Sequence, residues 1–208
     1  TPGDANADGV YEITVRATDS GGLFDERAVQ LTLTNVNEAP AVTSAGTGTF
    51  AENSTGAVYT ATRSEVDGGD TVTWTLTGAD AGLFTIDATT GVVSLGAGQN
   101  FETPGDANAD GVYEITVRAT DSGGLFDERA VQLTLTNVNE APAVTSAGTG
   151  TFAENTAGAV YTATRSEVDG GDTVTWTLSG ADAGLFTIDA TTGVVTLGAA
   201  QNFETPGD

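Results

Sequence analysis

Apolar and polar side chains alternate at every second position through most of this chain, and helical periodicity is scarcely visible. In Tyr113-Glu114-Ile115-Thr116-Val117-Arg118-Ala119 the apolar Tyr, Ile, Val and Ala take one face. Glu114, Thr116 and Arg118 take the other. Alternation in β-branched and aromatic residues predicts half-buried strands. Residues 131–136 and 72–76 repeat the pattern. Phe84-Thr85-Ile86-Asp87 and Gly91-Val92-Val93-Ser94-Leu95 flank Ala88-Thr89-Thr90, which predicts a hairpin. Residues 57–61 and a strand within 41–50 bring the expectation to about seven strands per unit. Short strands between Gly- and Asp-rich turns predict an all-β chain of tandem seven-stranded antiparallel Greek-key β-sandwiches, Ig-like in type.

The pattern recurs because the sequence does. Thr1-Pro2-Gly3-Asp4-Ala5-Asn6-Ala7-Asp8-Gly9 returns unchanged at 103–111, and Thr-Pro-Gly-Asp occurs a third time at 205–208. Aligned at this 102-residue period, the repeats differ conservatively at five positions: Ser54/Thr156, Thr55/Ala157, Thr77/Ser179, Ser94/Thr196 and Gly98/Ala200. A period of this length is domain-sized, so each repeat is expected to fold as one unit. The repeat phase is not the domain phase. Asn137-Val138-Asn139-Glu140-Ala141-Pro142 follows a strand pattern, its proline stops strand pairing, and the same hexad stands at 35–40. Cutting there predicts one complete unit at 39–140. Residues 1–38 are then the C-terminal strands of a preceding unit, and 141–208 the N-terminal strands of a following one. Chain ends that fall mid-repeat suggest a piece of a longer array.

Charge narrows the function. Six basic residues, all arginine, stand against 29 acidic ones, for a net charge of −23. Nucleic acid and anionic membranes would repel such a chain, so cations or basic surfaces are its expected partners. No apolar run approaches the ~18 residues of a membrane span, so direct membrane insertion is not expected. With neither His nor Cys, the Ser–His–Asp and Cys–His constellations and His-based zinc sites cannot be built. A carboxylate pair for glycoside hydrolysis remains, without any sign of a substrate cleft; the expectation is a chain that is not an enzyme.

Several motifs occur in an order that resembles the cadherin-like repeats of bacterial surface proteins. Ala51-Glu52-Asn53 is similar to the family's Glu-Asn signature, and Phe84-Thr85-Ile86-Asp87-Ala88-Thr89-Thr90-Gly91 to its Phe-x-Ile-Asp-x-x-Thr-Gly hairpin. Asn100-Phe101-Glu102 takes the place of Leu-Asp-Arg-Glu. Val117-Arg118-Ala119-Thr120-Asp121 matches Val-x-Ala-x-Asp, and residues 137–142 fall where Asp-x-Asn-Asp-Asn-x-Pro is expected. The resemblance implies calcium between consecutive repeats. At the second junction it implies Glu52, Glu102, Asn137, Asn139 and Glu140, with Glu167 and Asp169 of the next repeat. At the first it implies Asn35, Asn37, Glu38, Glu65, Asp67 and Asp121. These are hard oxygen donors of the kind calcium takes. Two carboxylates ~4 Å apart repel by about 1 kcal/mol in water and about 4 kcal/mol at an effective dielectric near 20.

The sequence departs from the family at two places. Arg63 takes the first acidic position of Ala-x-Asp-x-Asp, with Glu65 and Asp67 following, and the linker carries Asn137 and Ala141 in place of acids. A salt bridge from Arg63, or a merely solvated acidic hinge, stands beside calcium as the alternative. A second candidate site is Asp106-Ala107-Asn108-Ala109-Asp110-Gly111, repeated at 4–9, because Asp-x-Asn-x-Asp-Gly opens an EF-hand loop. Its closing acid fails to appear, with Val117 at that position. The alternative is an Asx-rich turn bonded to its own backbone. Asp67-Gly68-Gly69-Asp70 and Asp121-Ser122-Gly123-Gly124 read as turns, and Trp74 and Trp176 as core residues rather than a sugar-stacking platform.

The resemblance implies a secreted or surface-anchored bacterial protein, a calcium-stiffened extender or fibre for cell–cell or cell–surface attachment. Neighbouring repeats of the same protein are then the first partners, with self-association into fibres a further one. The alternatives are a module binding polysaccharide or protein ligands, and a filament subunit whose split ends complement one another.

Overall fold

The structure is a computed structural model and describes residues 3, 6 and 8–204. Asp4 of the first Asp-x-Asn-x-Asp-Gly run and the third Thr-Pro-Gly-Asp lie outside the described residues. The described chain opens with a hairpin, β1 (Val10–Thr18) and β2 (Phe24–Thr32). Nine strands follow: β3 (Ala41–Val42), β4 (Thr47–Ala51), β5 (Gly56–Thr60), β6 (Arg63–Ser64), β7 (Thr73–Thr77), β8 (Phe84–Ile86), β9 (Val92–Leu95), β10 (Val112–Thr120) and β11 (Phe126–Thr136). Beyond them come β12 (Ala143–Val144), β13 (Gly158–Thr162), β14 (Arg165–Ser166), β15 (Phe186–Ile188) and β16 (Val194–Leu197). Among the described residues no helix is long and apolar enough to cross a membrane.

The core lies between two sheets. A four-stranded sheet, ordered β4-β11-β10-β7, faces a three-stranded one, ordered β5-β9-β8. The alternation in β10 does what it predicts: burial switches at every residue, with Tyr113, Ile115, Val117 and Ala119 turned inward. Val131, Leu133 and Leu135 of β11 join them, and Val93, Leu95 and Phe84 close the core from the smaller sheet. Phe50, Phe84 and Tyr113 meet edge to face across the core, with centroids 5.2–6.3 Å apart. Trp74 is buried in this core, as its place among Val72 and Leu76 predicts. Gly91 closes the β8–β9 turn beside it at φ +72°. A Cβ there would sit 2.6 Å from the Ala61 carbonyl and 3.0 Å from the Trp74 ring.

Among the described residues, the N-terminal edge carries the one departure from a purely antiparallel reading. The strand predicted within 41–50 breaks in two. β3 pairs antiparallel with β6, while β4 crosses over and pairs in parallel with β11, Gln132↔Thr47 through Thr136↔Ala51. The gap falls at Ser44-Ala45-Gly46, where Gly46 allows the close approach: a Cβ would lie 3.2 Å from the Ala130 carbonyl. On the outward face of β10, Arg118 lies opposite Glu128, bonds it, and stacks 4.0 Å over Phe126.

Candidate metal centre

Strand ends and loops, not strand centres, position the acidic side chains. β4 ends at Ala51, so Glu52 follows directly, pinned by a backbone bond from its N–H to the Thr136 carbonyl. Its buried carboxylate then bridges two segments: one oxygen accepts the Val138 N–H at 2.7 Å, the other the Phe101 N–H at 3.1 Å. Glu52 thereby ties the linker after β11 to the loop that carries Glu102. The linker reaches the next repeat through Asp169, buried like Glu52. Asp169 accepts the Asn137 amide at 2.7 Å and the Glu140 N–H at 2.6 Å.

The result is a convergence of four carboxylates. Glu52, Glu102, Glu140 and Asp169 each offer an oxygen, and these oxygens lie within 4.8 Å of one another. Burial pushes Glu140 above the ordinary carboxylate range; the amide of Asn53, 2.8 Å away, opposes this, and the charges of Glu52, Glu102 and Asp169 reinforce it. Buried oxygens normally find partners. Here Glu102 Oε2 and Glu140 Oε2 are buried and make no hydrogen bond. Hard oxygen donors, mutual repulsion and two partnerless oxygens in one place fit a hard divalent cation.

The other second-junction candidates stand at the margin. Asn137 donates its amide to Asp169, and the Asn139 amide makes a 3.4 Å contact with the Glu140 carbonyl. Glu167 accepts its neighbour Val168's N–H and lies 3.9 Å from Arg165.

The first junction repeats the linker geometry. Asp67 accepts the Asn35 amide at 2.6 Å and the Glu38 N–H at 2.7 Å, and Asn37 donates to Asp121 at 2.9 Å. The Glu38 N–H and the Asn35 amide hold Asp67 below its usual range against the effect of burial. Asp67's charge in turn pushes Glu38 up, aided by burial. Glu65 turns one oxygen to the N–H groups of Val66 and Asp67 and buries the other without a partner. Arg63 makes no ion pair within 4.0 Å among the described residues.

At Asp106-Asn108-Asp110 the geometry is that of a self-bonded turn. The buried Asp106 accepts the N–H groups of Asp110 and Gly111, Asp110 accepts that of Val112, and Asn108 donates to Asp110. Burial works against the Asp106 charge, but the surrounding N–H groups outweigh it and lower its pKa. Asp80, just beyond the neighbouring strand β7 of the same sheet, supports this loop and the start of β10, accepting the Ala107 and Glu114 N–H groups at 2.7 Å each. Sequence reasoning missed Asp80, whose partners lie about thirty residues away, so no local spacing signals it. It also missed Asn53, whose φ of +57° aims its amide at Glu140; asparagine after the signature glutamate was the available signal.

No protein-family model matches the chain. Over 212 residues it is 28% identical to human Protocadherin Fat 1, a match spanning 94% of this chain and 4% of that protein. Among solved structures, human CDH23 EC21-23 superposes with a TM-score of 0.67 at 20% identity, covering 94% of this chain and 66% of that one. The Protocadherin gammaB7 EC3-6 cis-dimer structure gives 0.64 at 20% identity, over 97% and 55%. Protocadherin Gamma B2 extracellular cadherin domains 3-6 give 0.60 at 20%, over 97% and 53%. Two sheets packed face to face, with acids gathered where one repeat meets the next, are in this chain a cadherin-like fold.

Proposed function

We propose that this chain is a calcium-stiffened structural and adhesive repeat segment, without catalytic activity, acting as an extender or fibre in attachment between cells or between a cell and a surface. The division that serves this reading is 39–140 as one unit, with 1–38 and 141–208 belonging to its neighbours. The setting is extracellular, in keeping with the likeness to the extracellular cadherin domains of Protocadherin Gamma B2; the bacterial surface, and biofilm attachment there, follow from the motif resemblance alone.

One observation carries the reading: four carboxylates from two successive repeats converge with two buried oxygens unpartnered. Glu52, Glu102, Glu140 and Asp169 would hold the ion, with Asn137 fixing Asp169 in place. Calcium would supply the positive charge that lets these groups stay ionised together. An ion that binds the assembled junction and not the open one stabilises it by mass action, by about 2.7 kcal/mol at a hundredfold excess over its dissociation constant. Millimolar extracellular calcium suits sites of this class. Asn35, Asn37, Glu38, Glu65, Asp67 and Asp121 form the matching acceptor half at the first junction.

Calorimetric calcium titration of the full chain, beside thermal unfolding in EDTA and in several millimolar calcium, tests the proposal. Saturable binding and a midpoint that rises with calcium, but not with matched sodium, are expected. No binding and an unchanged midpoint would replace the reading with an ion-free spacer in which Arg165 and Glu167 carry the local pairing.

A further inference from the structure

Two of the five exchanges between the repeats fall side by side, Ser54/Thr156 and Thr55/Ala157. They leave Asn53-Ser54-Thr55 in one repeat and Asn155-Thr156-Ala157 in the next. Asn-x-Ser/Thr is the acceptor pattern for N-linked sugar, and no other asparagine of this chain has a hydroxyl residue two places on. A pattern this short recurs by chance, so its position decides. Residues 52–55 turn between β4 and β5, with Asn53 and Thr55 exposed. Asn53 takes φ +57°, a left-handed conformation that asparagine tolerates better than most residues. The Thr55 hydroxyl, which a transferase must grip, makes no hydrogen bond among the described residues. The Asn53 N–H bonds the Gln99 carbonyl at 2.8 Å, so the turn stays pinned while the side chain swings.

We infer that Asn53 is a sugar-acceptor site, and that a sugar on its amide loosens the second junction. This uses the extracellular setting proposed above and not the calcium reading. In the transfer, Asn53 Nδ2 bonds to C1 of a sugar chain carried on a lipid diphosphate. The C1–O bond breaks, the diphosphate leaves with the electron pair, and the displaced amide proton passes to a base of the transferase. Transfer takes place while the junction is open, because in the closed junction Nδ2 faces two carboxylates. It lies 2.8 Å from Glu140 Oε1 and 3.4 Å from Glu52 Oε2. A sugar ring on Nδ2 must occupy one of these directions. Towards Glu52 there is no room: that residue is 3% exposed, and the same Oε2 accepts the Phe101 N–H. Towards Glu140 the ring displaces the bond itself. The glycosylated side chain therefore turns out to solvent and Glu140 loses its amide donor. Glu140 Oε2 is already buried without a partner, so neither oxygen keeps a hydrogen bond. The carboxylate then leaves for water and pulls on the linker, whose Glu140 N–H is held by Asp169. Asn155, followed by Ala157, keeps a bare amide.

The full chain, secreted from a eukaryotic cell line behind a cleavable leader, tests the inference beside Thr55→Ala. That variant removes the acceptor pattern, leaves Asn53 in place, and repeats a residue the next repeat carries naturally. Intact mass and peptide mapping should show one N-linked sugar on wild type, at Asn53, and none on Thr55→Ala. Hydrogen exchange of both forms in EDTA should show the Glu140 N–H exchanging about tenfold faster in the sugar-bearing chain. The amides of β10 and β11 should be equally protected in both, as the folding control. Wild type recovered from the medium without sugar at Asn53 would overturn the acceptor assignment. A sugar that leaves exchange at Glu140 unchanged would overturn the loosening. Calcium titration of Thr55→Ala reads the metal proposal separately, so either can fail alone.

Discussion

The two junctions share a linker sequence and differ in the company it keeps. In both, an asparagine amide and a glutamate N–H bond one aspartate, Asp67 or Asp169, at 2.6–2.7 Å. That pose belongs to the hexad and the aspartate alone. At the second, Glu52 and Glu102 add their carboxylates; for the first, the positions one period earlier fall before residue 1. Hydrogen bonds therefore set the angle of the linker, while the two glutamates set its charge.

The largest effect that would sharpen this separation comes from Glu52→Ala. It strips the acceptor from two backbone N–H groups, Val138 and Phe101, at about 1–3 kcal/mol each where burial persists. Denaturant unfolding in EDTA should show that loss. Its counterpart Glu154, exposed and, among the described residues, bonded to the Phe203 N–H, should cost within about 0.5 kcal/mol. Equal losses would break the comparison.

Glu102→Gln should come next and change sign with conditions. It removes charge from the cluster, so in EDTA the unfolding midpoint should hold or rise, while in calcium it should fall with at least a tenfold loss of affinity by calorimetry. A fall in both conditions would make Glu102 a structural residue.

Acid should act oppositely on two groups. Glu140 has a raised pKa, so the folded state holds its proton where the unfolded state has lost it. Stability from this group is present at low pH and declines as pH rises from the usual glutamate value through the raised one. Asp67 and Asp106 have lowered pKa values, so their contribution is present above the ordinary aspartate value and is lost as pH falls. Thermal midpoints in EDTA should therefore peak in mild acid, and Glu140→Gln should flatten the alkaline side of that peak. A monotonic rise towards neutrality would contradict it.

The smallest effect belongs to Arg165→Ala. The pair with Glu167 at 3.9 Å is partly solvated and should be worth at most about 1 kcal/mol by double-mutant cycle. A larger coupling would revive a salt-bridged hinge.

What was legible in the sequence follows the range of the interaction. Alternation at Tyr113–Ala119 located β10 and its inward face, and Ala88-Thr89-Thr90 located the β8–β9 turn, because both signals are local. The motif order assembled Glu52, Glu102 and Glu140 into one candidate. The parallel β4–β11 pairing was not legible, since it joins segments more than eighty residues apart and alternation is blind to strand direction. Nor did spacing distinguish Glu167, spent on its own backbone and Arg165, from Asp169, which turns into the cluster.

The parallel pairing has a mechanical consequence. From the linker at Pro40 the chain reaches β4 through the short β3 and the break that ends at Gly46, and β11 leaves directly into the linker at Asn137. Tension applied through the two linkers draws these adjacent parallel strands in opposite directions. The five rungs from Gln132↔Thr47 to Thr136↔Ala51 are loaded together in shear rather than peeled one at a time. We predict a brittle, high-force rupture of this unit under single-molecule extension, with resistance set by the unfolding rate rather than by equilibrium stability. Gly46→Pro, which crowds the Ala130 carbonyl at the entry to β4, should leave a lower force; an unchanged force would place the resisting contact elsewhere.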